Sequence, residues 1–183
     1  TICLTRGSQA FVSQHIGDLE NDRTYAFYTH TIDHFTKILD IAPRAVAHDL
    51  HPQYMSTAYA RQYARQYARD NTVDGIPLVA VQHHHAHAVS CMAENHLTGP
   101  VIAITLDGTG YGTDGHIWGG EILVATQKTF LRKAHLCYVP MPGGDAAVLE
   151  PWRMAAAVLY TAMGSSFLDL DISYIRQMDK EKP

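Results

Sequence analysis

Four histidines fall within five residues, His83-His84-His85-Ala86-His87, directly after the apolar run Ile76-Pro77-Leu78-Val79-Ala80-Val81. Imidazole is the commonest metal-binding side chain and titrates near neutral pH. If a helix starts at or just before His83, then His83 and His87, four positions apart, project from one face one turn apart. Two imidazoles at that spacing can hold a single transition metal. His84 and His85 then point elsewhere, and His84 becomes a candidate substrate contact or a support for the ligands. The structural alternative is a polar helix cap whose histidines only bond the backbone. The density of histidines, directly after a buried strand, favours a site. A further ligand is needed, and Asp107 closes the run Val101-Ile102-Ala103-Ile104-Thr105-Leu106. Strand ends of open α/β sheets line the ligand crevice. If the strands before His83 and Asp107 are neighbours, both residues reach one edge. Two imidazoles and a carboxylate suit Fe(II), Zn or Mn. Cys91, one more turn along the His83/His87 face, is the rival, but within Ala88-Val89-Ser90-Cys91-Met92-Ala93 a small apolar cysteine reads as core.

Three further segments carry weaker signals. Asp107 to Gly115 contains Gly108, Gly110, Gly112 and Gly115, and such a loop lets backbone N–H groups approach a phosphate. Gly108, Thr109 and Gly110 are its candidate nucleotide contacts. It lacks the GxxxxGK[ST] spacing and is no P-loop. The run Gly143-Gly144-Asp145 can fit around a ribose or phosphate, and Arg153 can neutralise an anion. A structural loop and a first-turn helix residue explain the same residues, and on residue types alone this reading is preferred. Asp49-Leu50-His51-Pro52 follows another strand, so His51 is a candidate substrate contact, with a local Asp–His hydrogen bond as the alternative.

The elements that must position these residues follow from period and punctuation. Thr1–Thr5 reads as a strand, Arg6-Gly7-Ser8 as a turn and Phe11–Ile16 as the hairpin partner. Asn21-Asp22 caps a helix over about residues 24–40 with a core stripe of Tyr28, Ile32, Phe35 and Leu39, closed by Pro43. Ala45–Ala47 is a short buried strand. A second helix has Ser56 as candidate N-cap and stacks Tyr59, Tyr63 and Tyr67 on one stripe, and Asn71 to Gly75 ends it. Arg61, Arg65 and Arg69 line a solvated side of that helix. The histidine helix runs to about His96 before Gly99-Pro100. Strands follow around Ile117-Trp118, Ile122–Thr126 and Leu131–Val139, then a helix from Pro151 to Gly164. The pattern predicts an α/β architecture with a mainly parallel sheet that turns into hairpins.

Bulk composition narrows the classes. The chain has 183 residues, 46% of them hydrophobic, enough to bury a core. A formal net charge of −4 with scattered basic residues predicts no nucleic-acid groove. No apolar run approaches a membrane span, so no membrane association is expected. The three cysteines Cys3, Cys91 and Cys137 form no CxxC pair, which points to a reducing, cytoplasmic setting. Both ends read as cut within a larger domain, so a fragment is expected. The twelve histidines suggest one rival, a non-enzymatic metal-binding protein. Against it, most of the others (His15, His30, His34, His48, His96, His116, His135) are dispersed.

Several motifs, in order, resemble one family. They are Leu4-Thr5-Arg6-Gly7-Ser8-Gln9-Ala10-Phe11, Gln14-His15-Ile16-Gly17-Asp18-Leu19, Asp49-Leu50-His51-Pro52, Gln82–His87, Leu106–Gly112, Ile117-Trp118-Gly119-Gly120-Glu121 and Pro142-Gly143-Gly144-Asp145 with Glu150-Pro151-Trp152-Arg153-Met154. Together they look like the hydrogenase maturation carbamoyltransferases, HypF. The resemblance implies that residues 1–183 are part of the family's C-terminal domain, similar to the TsaD-type tRNA threonylcarbamoyl transferases. That domain has an actin-like, two-lobed fold with a mixed, partly parallel sheet. The acylphosphatase-like, zinc-finger and YrdC-like modules are expected outside this chain, as are a further carboxylate ligand and part of the adenine pocket. The implied reaction uses ATP and carbamoyl phosphate to form a carbamoyl-adenylate. The carbamoyl group passes to the C-terminal cysteine of the partner HypE and is dehydrated to the cyanide ligand of nickel-iron hydrogenase. By motif, His83, His87 and Asp107 would hold one divalent metal, iron or zinc, and Gly108, Thr109 and Gly110 would lie near nucleotide phosphates. Gly143, Gly144, Asp145 and Arg153 are family-like without individual roles. This chain alone is not expected to turn over. A carbamoyltransferase of the same superfamily acting on a sugar hydroxyl or tRNA is the second rival; the Gly-Gly-Glu and Glu-Pro-Trp-Arg motifs favour the hydrogenase branch.

Overall fold

The computed structural model describes residues 1–71, 75–171 and 175, with side chains up to 68 in the second helix. The chain divides into two compact units, Thr1–His135 and Leu136–Pro183.

The first unit opens with a hairpin, β1 (Cys3–Arg6) and β2 (Gln9–Val12), in which Arg6 lies opposite Gln9. The partner strand starts earlier than the expected Phe11 because Gly7, at φ 59°, closes a two-residue turn. Helix α1 (Asp22–Ile38) is set by Asn21, whose side-chain oxygen accepts the N–H groups of Arg23 and Thr24 at 3.1 and 3.0 Å. Such a cap contributes about 1 kcal/mol. The expected stripe of Tyr28, Ile32, Phe35 and Leu39 is half-buried, and Thr31 is the helix's buried residue.

Strand β3 (Val46–Asp49) leads to α2 (Met55–Asn71), and β4 (Leu78–Val81) leads to α3 (His83–Glu94). Ser56 lies inside α2 rather than capping it, because the carbonyl of Tyr54 already accepts the N–H of Ala58 at 3.0 Å. Tyr59, Tyr63 and Tyr67 pack along one stripe, and Tyr59 also sets its ring edge-on to Tyr28 at 5.3 Å, joining α2 to α1. The expected helix break at Asn71 to Gly75 falls largely outside the described residues. β3 and β4 pair in parallel with Asp49 opposite Val81, so two strands end together.

Strands β5 (Val101–Thr105), β6 (Gly110–Tyr111), β7 (Ile117–Trp118), β8 (Glu121–Ala125) and β9 (Phe130–His135) complete the unit. β5, β8 and β9 form one antiparallel sheet in the order 5-8-9, and β6 pairs with β7. The architecture is therefore mixed α/β. The expected mainly parallel sheet is corrected: among the described residues β3–β4 is the one parallel pair. The connections around β5 to β9 hold no crossover helix, and a parallel step needs one. Along β8, Glu121, Leu123 and Ala125 point inward, while Ile122 joins Ile102 and Ile104 of β5 on the exposed face. Met92 and Leu123 are fully buried, and each such side chain stabilises by about 1.5–3 kcal/mol.

The second unit has a short helix α4 (Ala146–Leu149), then α5 (Pro151–Met163) with proline in its first turn and Gly164 at φ 63° as its end. A 3-10 turn, Gly164–Asp169, follows, with Phe167 buried against the edge of Tyr160. Among the described residues no helix is long and apolar enough to cross a membrane.

Candidate metal and nucleotide site

The helix that carries the histidines begins where the spacing requires. The side chain of Gln82 caps α3, its oxygen accepting the N–H of His85 at 2.8 Å, while its amide donates to the carbonyl of Tyr111 at 3.2 Å. Gln82 thus fixes the helix start and ties it to the glycine-rich loop.

From that start His83 and His87 share one face, their rings 4.9 Å apart. Asp107 meets both: its Oδ2 lies 2.8 Å from His83 Nε2 and 3.3 Å from His87 Nε2. The three ligand atoms lie within 4.8 Å of one another. Among the described residues no other group of three or more histidine, cysteine, aspartate or glutamate side chains gathers in this way. Cys91 is exposed, and Asn95 caps its carbonyl and contacts its sulfur.

The convergence does not arise from neighbouring strands. β4 pairs with β3, and β5 pairs with β8. His84 supplies the link. It is 0% exposed, and its Nε2 donates to the carbonyl of Asp107 at 3.0 Å. A carbonyl only accepts, so Nε2 carries the proton, and among the described residues the buried Nδ1 has no partner. Burial holds the ring below its ordinary pKa, opposed by the Asp107 carbonyl and by the charges of Asp107 and Glu121. His84 therefore anchors Asp107 from inside the unit. His85 is buried too, with Nε2 on the carbonyl of Thr126 at 2.8 Å.

Asp49 is not singled out by spacing. Its Oδ2 lies 2.7 Å from His83 Nδ1, and its Oδ1 accepts the N–H of His51 at 2.7 Å. Both ring nitrogens of His83 thus face carboxylate oxygens. A neutral imidazole has one N–H, so one contact calls for a second proton or a cation. With the borderline-hard donor set, this fits a divalent metal. His51 stacks on Tyr54 at 4.1 Å and meets Tyr111 edge-on at 4.9 Å. Burial, then the charges of Asp49 and Asp107, raise the pKa of Tyr54. The aromatic group thus stands close enough to the cluster to sense its carboxylates.

In the glycine-rich loop Gly108 and Thr109 are exposed, whereas Gly110 is buried. A Cβ on Gly110 would stand 2.6 Å from His84 Nε2, so close packing explains this glycine. The loop's far side is held by buried polar groups. Trp118, 1% exposed, donates to Asp114 at 2.9 Å. Arg132 lies 4.1 Å over the Trp118 ring and pairs with Asp114 and with Glu121, itself 1% exposed. Residue types alone give the Trp118-Gly119-Gly120-Glu121 run no role; here it braces the loop.

Within the second unit Gly143 and Gly144 adopt φ of 82° and 57°, conformations that favour glycine. Asp145 is exposed at the start of α4 without capping it. Arg153 pairs with Glu150, lies 4.6 Å over Trp152, and has a guanidinium nitrogen 3.5 Å from where a Gly143 Cβ would stand.

The fold and cluster define a class that comparison with known proteins makes explicit. The family description "HypF Kae1-like domain" matches residues 1–94, and "Carbamoyltransferase, Kae1-like Domain, second subdomain" matches residues 103–182. The chain belongs to the HypF carbamoyltransferase family. It is 49% identical over 164 residues to the carbamoyltransferase HypF2 of Cupriavidus necator, a match covering 90% of this chain and 19% of that protein. It is 44% identical to the carbamoyltransferase HypF of Rhizobium leguminosarum bv. viciae, covering 88% and 20%. A crystal structure of full-length HypF in its phosphate- and nucleotide-bound form is similar at a TM-score of 0.77 and 41% identity, covering 98% of this chain and 28% of that one. The chain spans about a fifth of the length of these two curated relatives.

Proposed function

We propose that this chain is the part of a cytoplasmic, ATP-dependent carbamoyltransferase that holds the metal and the nucleotide phosphates. In this reading the whole enzyme converts carbamoyl phosphate and ATP to a carbamoyl-adenylate. It then delivers the carbamoyl group to the C-terminal cysteine thiol of a HypE-type partner for the cyanide ligand of nickel-iron hydrogenase. The observation that carries it is the convergence of His83, His87 and Asp107 in a chain of this family. A solved relative bound to phosphate and nucleotide supports the nucleotide part.

His83 Nε2, His87 Nε2 and an Asp107 oxygen would hold one iron or zinc ion. The ion would supply Lewis-acid polarisation of carbamoyl or phosphate oxygens. Around it the chain's own groups do the positioning. His84 holds the Asp107 backbone, Gln82 ties the helix start to the loop, and the exposed Gly108 and Thr109 present backbone to phosphates. His51 faces the substrate from its stack on Tyr54. Gly143, Gly144, Asp145 and Arg153 form a second anion-binding loop in the other unit, where Arg153 exchanges Glu150 for phosphate. In this reading the acceptor thiol belongs to the partner, and Cys3, Cys91 and Cys137 of this chain, all exposed, take no part in the transfer.

Two measurements test this. Elemental analysis of the chain should find about one iron or zinc ion per molecule, and none after His83→Ala with His87→Ala, because the folded ligands create the site. Several ions per chain that survive the double substitution would favour a metal buffer. The same substitutions in a full-length relative should abolish ATP-dependent carbamoyl transfer to the thiol, whereas this chain alone should show none. Unchanged transfer in the substituted relative overturns the assignment.

A further inference from the structure

The two imidazoles of the cluster are held very differently. His87 is 57% exposed, and its Nε2 contact to Asp107 is its one polar contact among the described residues. His83 is gripped from both sides, by Asp107 at Nε2 and by Asp49 at Nδ1. Asp49 is itself well fixed. It ends β3 opposite Val81, its carbonyl accepts the buried Thr57 hydroxyl at 3.2 Å and the His48 ring N–H at 2.7 Å, and its Oδ1 takes the N–H of His51.

We propose, resting on the metal reading above, that Asp49 is a positioning residue for the cation site. By accepting the Nδ1 proton of His83 it locks the tautomer whose bare Nε2 faces Asp107, and it fixes the plane of the ring. Metal-bound histidines commonly donate their other N–H to a carboxylate, which orients the ring and raises its basicity. The same carboxylate binds the N–H of His51, so one residue sets both the metal-facing ring and the start of the loop that carries the His51/Tyr54 stack. The two oxygens of Asp49 are divided between these tasks, which makes an amide a poor substitute. An asparagine can keep the His51 bond only by turning its NH2 towards His83. That forces Nδ1 to accept and places the proton on Nε2, where it blocks a metal. Turning the other way gives His83 its acceptor but sets two donors against each other at His51.

The test compares wild type, Asp49→Asn, Asp49→Glu and, as a control for charge alone, Asp18→Asn. Cobalt(II) and zinc dissociation constants are measured by chelator competition, with the cobalt absorption band as the site signature. Asp49→Asn should weaken binding of both ions about 10–100-fold. Asp18→Asn should leave it unchanged. Asp49→Glu should recover most of the affinity and the wild-type cobalt band, and it decides the matter if the asparagine variant does not fold. Tight binding in Asp49→Asn overturns the role of Asp49 alone. So does a glutamate variant no better than asparagine. A wild-type chain that binds neither ion overturns the metal reading first, and the role of Asp49 with it.

Discussion

The His83/His87/Asp107 cluster and the Gly143–Arg153 loop both hold residues of the family's motifs, yet they are built on opposite principles. In the cluster three elements meet: β3 brings Asp49, α3 brings the histidines, and the end of β5 brings Asp107. Each member of the His83/His87/Asp107 cluster except His87 has its own anchor. In the second unit the partners are close in sequence: Arg153 pairs with Glu150 three residues back and lies over its neighbour Trp152. A constellation assembled over long sequence distances persists only if the fold holds it, so its geometry is informative about function. A local pair forms wherever a helix starts, so it says less.

This contrast can be broken experimentally. The largest effect is expected from Glu121→Ala, which leaves the Arg132 guanidinium beside Trp118 without its buried carboxylate. Removing one member of a buried pair costs about 3–5 kcal/mol. Chemical denaturation should show a loss near the lower end, since Asp114 still faces Arg132. Next is Gly110→Ala, whose methyl would press on His84. A stability loss of about 1–3 kcal/mol is expected, together with weaker metal binding because His84 holds Asp107. Undiminished metal affinity in this variant would show that Asp107 needs no such anchor. Arg153→Ala should change stability by less than about 1 kcal/mol, as for an exposed pair at i,i+3, and should leave the bound metal untouched. Loss of metal in this variant would erase the distinction between the regions.

The smallest effect concerns the tyrosine stripe. Burial, then the charge of Asp33 and the rings of Tyr28, Tyr63 and Tyr25, push the Tyr59 hydroxyl far above its usual range. The folded state therefore keeps this proton when the unfolded chain releases it at about pH 10. Above that pH the unfolded chain binds fewer protons, so stability falls as pH rises. Tyr59→Phe should flatten the alkaline limb of a stability-against-pH curve, while leaving it unaltered below about pH 9, where neither state ionises. An unchanged alkaline limb would place the titrating group elsewhere.

Much of the site was legible in the residues because its signals are local. The i,i+4 spacing of His83 and His87 needs only a helix, and Gln82 starts one. Asp107 needs only a strand that ends there. The part proposed for Asp49 was not legible, because it depends on the parallel register that sets Asp49 opposite Val81 across a gap of helix α2. Single residues carry no mark of such pairing. His84 stayed undecided between substrate contact and support for the ligands for a related reason: helical spacing tells which residues share a face, not which face meets the interior. The sheet was expected to be more parallel than it is because the strands up to β5 were read as neighbours in one sheet, whereas β4 pairs with β3 and β5 pairs antiparallel with β8.

The packing of Gly110 against His84 constrains how relatives can vary. The Cβ-sized space missing at position 110 is filled by the ring at position 84. A lineage that acquires a side chain at 110 must first give up the imidazole at 84, and a lineage that keeps the imidazole has no route away from glycine. The two positions, 26 apart in sequence, should therefore be inherited as a single character, with the intermediate of alanine facing histidine the rarest of the combinations.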